Sequence, residues 1–266
     1  MRRTWQRFWP GAVGLLGFFA LWQLGAALTD PIILPSPMQT LTALGRLTAG
    51  GRVAQAALAT AGHTLGGFGA AAAIGGALGL AAGLSTVLRR MWAPVVTILQ
   101  GIPQIAWIVL ALLWFGPSSS ATPVFTVAVA VLPVIFAAVV SGVAATDRAL
   151  VEMARSFRAP RSQLLTDLYL PHLISYLFPA VTAGLGIGWK VAVMAELMAG
   201  ADSGVGAGLA RARTNLEVAE AMAWIAVVVL MMFGLEYLIL HPLRRRLEPW
   251  RERGGERRAE AVGHQP

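Results

Sequence analysis

A chain of 266 residues that is 56% hydrophobic and only 13% charged, with a mean hydropathy of +0.65, is no soluble globular domain. Such domains carry about 25% charged residues, so this composition marks an integral membrane protein. The lack of cysteine excludes disulfides, thiolate metal sites and a cysteine nucleophile. The net charge of +8 does not mark a nucleic-acid surface, because the arginines cluster at the ends of apolar segments, the pattern that orients membrane proteins.

Residues 1–30 form the first unit: a basic start with Arg2, Arg3 and Arg7, then an apolar run from Gly11 to Leu28. The run exceeds the roughly 7–15 residues of a signal-peptide core and is flanked by Trp5, Trp9 and Trp22, so a retained span is expected. Residues 31–58 hold Leu34-Pro35-Ser36-Pro37 and then a mildly amphipathic stretch. Their proline density excludes a span and predicts a short interfacial helix outside the membrane.

The core membrane unit is predicted over 59–243. Its first span, about 60–88, is rich in glycine and alanine, with Gly62 and Gly66, Gly75 and Gly79, and Gly79 and Gly83 each four apart. That spacing lets helix backbones approach closely in lipid. The next span, 92–115, is interrupted by Gln100-Gly101-Ile102-Pro103-Gln104, which predicts a proline kink with two glutamines beside it, polar enough to line a cavity. Spans at about 124–145, 173–199 and 221–240 follow, with a loop of mixed charge at 200–220. Residues 244–266 form an Arg-rich tail expected to be disordered at its end.

Between the fourth and fifth spans lies the coupling loop 146–171, the one long polar stretch between two strongly apolar ones. Leu150, Met153, Ala154 and Phe157 form one helical stripe on an Arg-rich segment too polar to span a bilayer. Such a helix lies on the membrane face or docks into a partner.

Orientation follows from counting basic residues. With the N-terminus inside, the inner side holds three at the start, Arg89 and Arg90, four in the coupling loop and seven in the tail; the outer side holds only Arg46, Arg52, Arg211 and Arg213. Both termini are therefore expected in the cytoplasm, and the coupling loop with them. The only lysine, Lys190, sits inside the fifth span between Trp189 and Val191, so the chain has no Gly-Lys-Ser/Thr phosphate loop. Its histidines, His63, His172, His241 and His264, lack metal-ligand spacing, so no metal and no catalytic residue is expected.

Lys190 and Glu196 are costly inside a span and must face a cavity or a partner. Six residues on a helix is about 600°, which puts them on different faces. Lys190 either faces the pathway or bonds to carbonyls beside Gly184, Gly186 and Gly188; Glu196 reads more readily as structural.

Three separated motifs resemble one family. Glu152-Met153-Ala154 and the closing Leu170-Pro171 resemble the cytoplasmic E-A-A loop of ABC-importer membrane subunits, with Arg158 where that loop has glycine and Pro160 available to make the bend instead. The Leu-Pro-Ser-Pro stretch and the run from Gly101 to Gly116, GIPQIAWIVLALLWFG, resemble the nitrate, sulfonate and taurine branch.

The resemblance implies a type I importer permease fold: all-α, about six spans, a coupling helix seated on an ATPase. It implies Glu152, Met153, Ala154, Arg155, Phe157, Arg158 and Arg161 as the ATPase-coupling residues, and the kink and the embedded polar groups make Gln100, Gln104, Trp107, Lys190 and Glu196 the candidates for the translocation pathway. The implied partners are a cytoplasmic ABC ATPase dimer that binds the ATP, a periplasmic substrate-binding protein, membrane lipid and a second, identical permease subunit, in a bacterial inner membrane. No cofactor and no nucleic acid is expected. An ion-coupled secondary transporter would carry several embedded carboxylates and often inverted repeats, and neither is seen here. A membrane anchor or scaffold would need neither glutamine-bearing spans nor a docking helix.

Overall fold

A computed structural model describes residues 2–240, and within them the fold is helical with no strand. The Arg-rich tail, His241 and His264 lie outside the described residues. The first helix, α1 (Arg2–Leu28), carries an apolar stretch long enough to cross a membrane at Trp9–Leu28. It touches the rest of the chain near its end, where the Trp22 indole donates to the Pro35 carbonyl at 3.0 Å.

α2 (Pro37–Ala49) begins where the Leu-Pro-Ser-Pro stretch predicts a short helix. Ser36 accepts the Gln39 amide while the Gln39 side chain accepts the Ser36 amide at 2.8 Å, a reciprocal cap that satisfies two orphan donors. Pro37 follows at the first helical position, where its missing N–H costs nothing.

α3 (Arg52–Leu84) has 33 residues, about 50 Å of helix against a hydrocarbon core of about 30 Å, so it protrudes. It lies centrally against α6 (Ala121–Ala144) and α9 (Leu170–Ala199), and their shared core includes Ala71, Val127, Val131, Ile135, Val139 and Ala192. The predicted small-residue seam is real but narrower than the spacing suggests. A Cβ on Gly75, Gly79 or Gly83 would run into Leu132, Val139 or Val143 of α6, whereas Gly62 and Gly76 have nothing within 4 Å. Gly67, outside the four-residue series, is as tight against Val124 and Val127.

Between α3 and α6 stand α4 (Thr86–Gly101) and α5 (Gln104–Phe115), each short. The sequence predicts one kinked span here; the structure has a break, with the two axes 94° apart. Pro103 has no N–H to donate, and Ile102 before it is held extended at ψ 126°, so the helix stops and restarts. Five helices are long and apolar enough to span, six if the bent pair counts as one.

The 200–220 segment also departs from expectation. It is no loop but holds a buried helix, α10 (Val205–Thr214), folded back between α9 and α11 (Val218–Gly234). Its buried Val205 and Ala212 join Leu47, Ala56 and Trp224 in a second apolar cluster at the outer end. A Cβ on Gly208 would collide with the Trp224 ring, so glycine is what allows α10 to lie this close.

Candidate functional site

The cytoplasmic loop folds as α7 (Arg148–Ser156), a bend at 157–160, a short helix α8 (Arg161–Gln163), and a π-helical turn at Leu164–Tyr169 that runs into α9. Val151 and Leu164 turn inward and anchor the loop. Leu150, Met153 and Phe157, three and four apart on one stripe, are exposed, and Phe157 is 82% exposed. A phenylalanine left that bare in the bend that ends an amphipathic helix marks a surface built to be covered. Glu152 is exposed beside it and Ala154 is half-buried; Arg155 lies in the last turn of α7, and Arg161 opens α8.

The bend is made differently from the expectation. Arg158, not Pro160, turns the chain: its φ is +56°, the left-handed region usually left to glycine. The Ala159 amide donates to the Ala154 carbonyl at 3.0 Å and the Phe157 amide to Met153 at 3.1 Å. The first is the six-residue closure of a Schellman cap with Arg158 at its left-handed position. The arginine therefore retains the backbone that a glycine would supply, at a cost of about 1–2 kcal/mol.

Gln100 and Gln104 stand exposed on either side of the break at Ile102-Pro103. Trp107 is half-buried, edge-on to Phe125 at 6.5 Å, and its indole N–H has no hydrogen-bond partner among the described residues. Lys190 is exposed and continues as a stripe with Met194 and Met198, both exposed, on the same face of α9. Gln100, Gln104 and Lys190 lie on open surfaces of the single chain, and the indole nitrogen of Trp107 is buried.

Glu196 lies elsewhere. It is wholly buried, on a different face from Lys190, as the helical angle requires. Its carboxylate accepts from the Thr60 hydroxyl at 2.9 Å and from the Gly206 amide at 3.0 Å, and pairs with Nδ1 of buried His63 at 2.8 Å. The Val205 amide donates to Thr60 Oγ1 at 2.9 Å. A charge that costs several kcal/mol alone in lipid is thus met by partners from α3 and α10. His63, which lacks metal-ligand spacing in the sequence, is its neighbour across 133 positions, a pairing no local spacing could reveal.

On the outer side, Arg52 bridges to Glu220 at 2.9 Å. Above them a cavity of about 610 Å³ opens between α2 and the α10–α11 turn, lined by Gln39, Arg46, Arg52, Glu217 and Glu220 among others. Among the described residues no group of His, Cys, Asp or Glu could hold a metal ion.

Broken and glycine-seamed spans around a central α3–α6–α9 packing, with an exposed amphipathic helix on the cytoplasmic side, define a multi-pass membrane transport subunit. Comparison with known families is specific. Residues 73–253 match the family described as "Binding-protein-dependent transport system inner membrane component", and the chain belongs to it: it is an ABC transporter permease. Among its relatives is the taurine transport system permease protein TauC of Escherichia coli (strain K12), 30% identical over 84% of this chain and 82% of that one. The putative aliphatic sulfonates transport permease protein SsuC of the same organism is 32% identical over 83% and 82%. The riboflavin transport system permease protein RibX of Chloroflexus aurantiacus is 32% identical over 93% and 94%.

Proposed function

We propose that two copies of this chain form the pathway of a bacterial inner-membrane importer for a small anionic solute of the sulfonate or taurine kind. A periplasmic binding protein delivers the solute, and two cytoplasmic ATPase subunits drive it through. The observation that carries the reading is the exposed stripe of Leu150 and Met153 on α7 and Phe157 just past its end, closed by the left-handed Arg158. An apolar helix face with Glu152 at its edge fits a groove on a partner. Glu152, Arg155, Arg158 and Arg161 then supply the polar rim, and Met153, Ala154 and Phe157 the seat. ATP-driven closure of the ATPases pulls on this seat, and the loop's direct run through the π-helical turn into α9 passes the displacement to the spans.

Lys190 is the basis for an anion. It is the one lysine of the chain, it lies inside a span, and its side chain is exposed. With the exposed Gln100 and Gln104 it supplies a cation and hydrogen-bond donors to a solute that carries negative oxygens, and Trp107 stands beside them as an aromatic wall. The names of TauC and SsuC support the sulfonate class, while that of RibX shows that this degree of likeness spans uncharged solutes too.

Uptake tests the reading. A strain lacking this subunit should lose import of labelled taurine or a short alkanesulfonate and regain it from a plasmid copy. Replacing Lys190 with Met should lower that import at least tenfold. Full sulfonate import without the subunit, together with lost import of an uncharged solute, would overturn the anion assignment and leave the importer standing.

A further inference from the structure

Glu196 serves two helix ends at once. Its backbone carbonyl accepts the amides of Gly200 and Ala201, which close α9 through the left-handed Gly200. Its carboxylate accepts the Gly206 amide, which opens α10. Thr60 adds the Val205 amide, so two of the orphan donors at the start of α10 are held by side chains of α3 and α9. The glycines fit the carboxylate closely: Gly204, at φ +117°, and Gly206 both lie where a Cβ would strike the Glu196 side chain.

The hydrogen-bond inventory has one consistent reading. Thr60 Oγ1 receives an amide and so has its proton free for Glu196 Oε2, which also receives Gly206. Oε2 is therefore an acceptor only. Oε1 faces His63, which can present either a donor or an acceptor. What the site demands of residue 196 is shape and one doubly accepting oxygen. A glutamine satisfies both, with its NH₂ directed to a His63 that carries its proton on Nε2.

We propose that Glu196 is a positioning residue that pins α10 across the outer ends of α3 and α9, keeping this buried segment closed by hydrogen-bond geometry rather than by its charge. The apolar packing of α10 is shared between α9, the Ala56 side of α3 and the Trp224 side of α11. Without the Glu196 carboxylate the Gly206 amide is unmet, in a place where unmet amides are costly, and the segment keeps the Thr60–Val205 bond and its apolar contacts.

The chain has no cysteine, so a single thiol reports on α10 directly. Ala210→Cys, at a position 9% exposed, is placed in the full chain in membranes and labelled with a charged, membrane-impermeant maleimide. With Glu196 present, labelling is slow. Glu196→Ala speeds it at least tenfold, and Glu196→Gln leaves it within about threefold of the parent. Co-purification of the ATPase through the distant α7 stays unchanged, which separates unpinning from global misfolding. If Glu196→Ala does not accumulate, Thr60→Val and Thr60→Ser take its place: valine exposes the thiol and serine restores protection. Equal protection in every variant overturns the pin. Labelling of Glu196→Gln as fast as Glu196→Ala overturns the hydrogen-bond account and assigns the role to the charge. If no ATPase co-purifies even with the parent, it is the importer reading that fails, and the labelling ratios still decide the pin.

Discussion

The amide of Ala159 reaches back to the carbonyl of Ala154 at 3.0 Å, and Arg158 between them takes the left-handed backbone that makes this possible. One consequence concerns what residue 158 is for. If the backbone shape is the requirement, Arg158→Gly keeps the bend and relieves about 1 kcal/mol of strain. Arg158→Val, β-branched in a region such residues avoid, distorts it. Thermal unfolding of the purified protein should place the glycine variant at or above the parent and the valine variant below it. A glycine variant less stable than the parent would show that the guanidinium, not the backbone, is being selected.

The α3–α6 seam gives a contrast between neighbours. Gly79 abuts Val139 and the Phe136 carbonyl, whereas Gly76, three residues away, faces open space. Gly79→Leu forces the helices apart at a cost of about 1–3 kcal/mol or more, and Gly76→Leu is tolerated. The yield of monodisperse protein from membranes is the measurement, and equal yields would refute the seam.

Ser36 and Gln39 cap α2 reciprocally. Ser36→Ala removes the acceptor for the Gln39 amide and should cost about 1 kcal/mol. Because the two bonds form one box, Ser36→Ala combined with Gln39→Ala should cost less than the sum of the single changes. Strict additivity in unfolding measurements would mean that the box does not act as a unit.

Much of the fold was legible because lipid imposes simple rules. Long apolar runs located the spans at Trp9–Leu28, Ala121–Ala144, His172–Ala199 and Val218–Tyr237 to within a few residues, while the helix expected over about 60–88 already starts at Arg52, inside the stretch read as lying outside the membrane. Arginine placement puts the coupling loop in the cytoplasm, and the short helix after the Leu-Pro-Ser-Pro stretch was expected, though not its reciprocal cap. Three features were not legible, each for a physical reason. Hydropathy shows that Pro103 interrupts a span but not by what angle, since the 94° turn depends on backbone angles at Ile102 and Pro103 that composition does not specify. The glycine-rich, charged 200–220 segment looks like a loop because α10 gets its stability from burial against Trp224 and from the Glu196 carboxylate, not from helix propensity. The pairing of His63 with Glu196 is purely tertiary, and only the high cost of an unpartnered carboxylate in a span hinted at a partner.

The central claim is that α7 is where an ATPase grips this chain. Its most direct test is co-purification from membranes of the intact tagged protein, of Glu152→Arg and of Phe157→Asp. The account predicts that an ABC ATPase accompanies the intact chain and is reduced at least tenfold with either variant, while both variants accumulate normally in the membrane. An ATPase retained in full by Phe157→Asp, with its 82% exposed ring replaced by a charge, would contradict it.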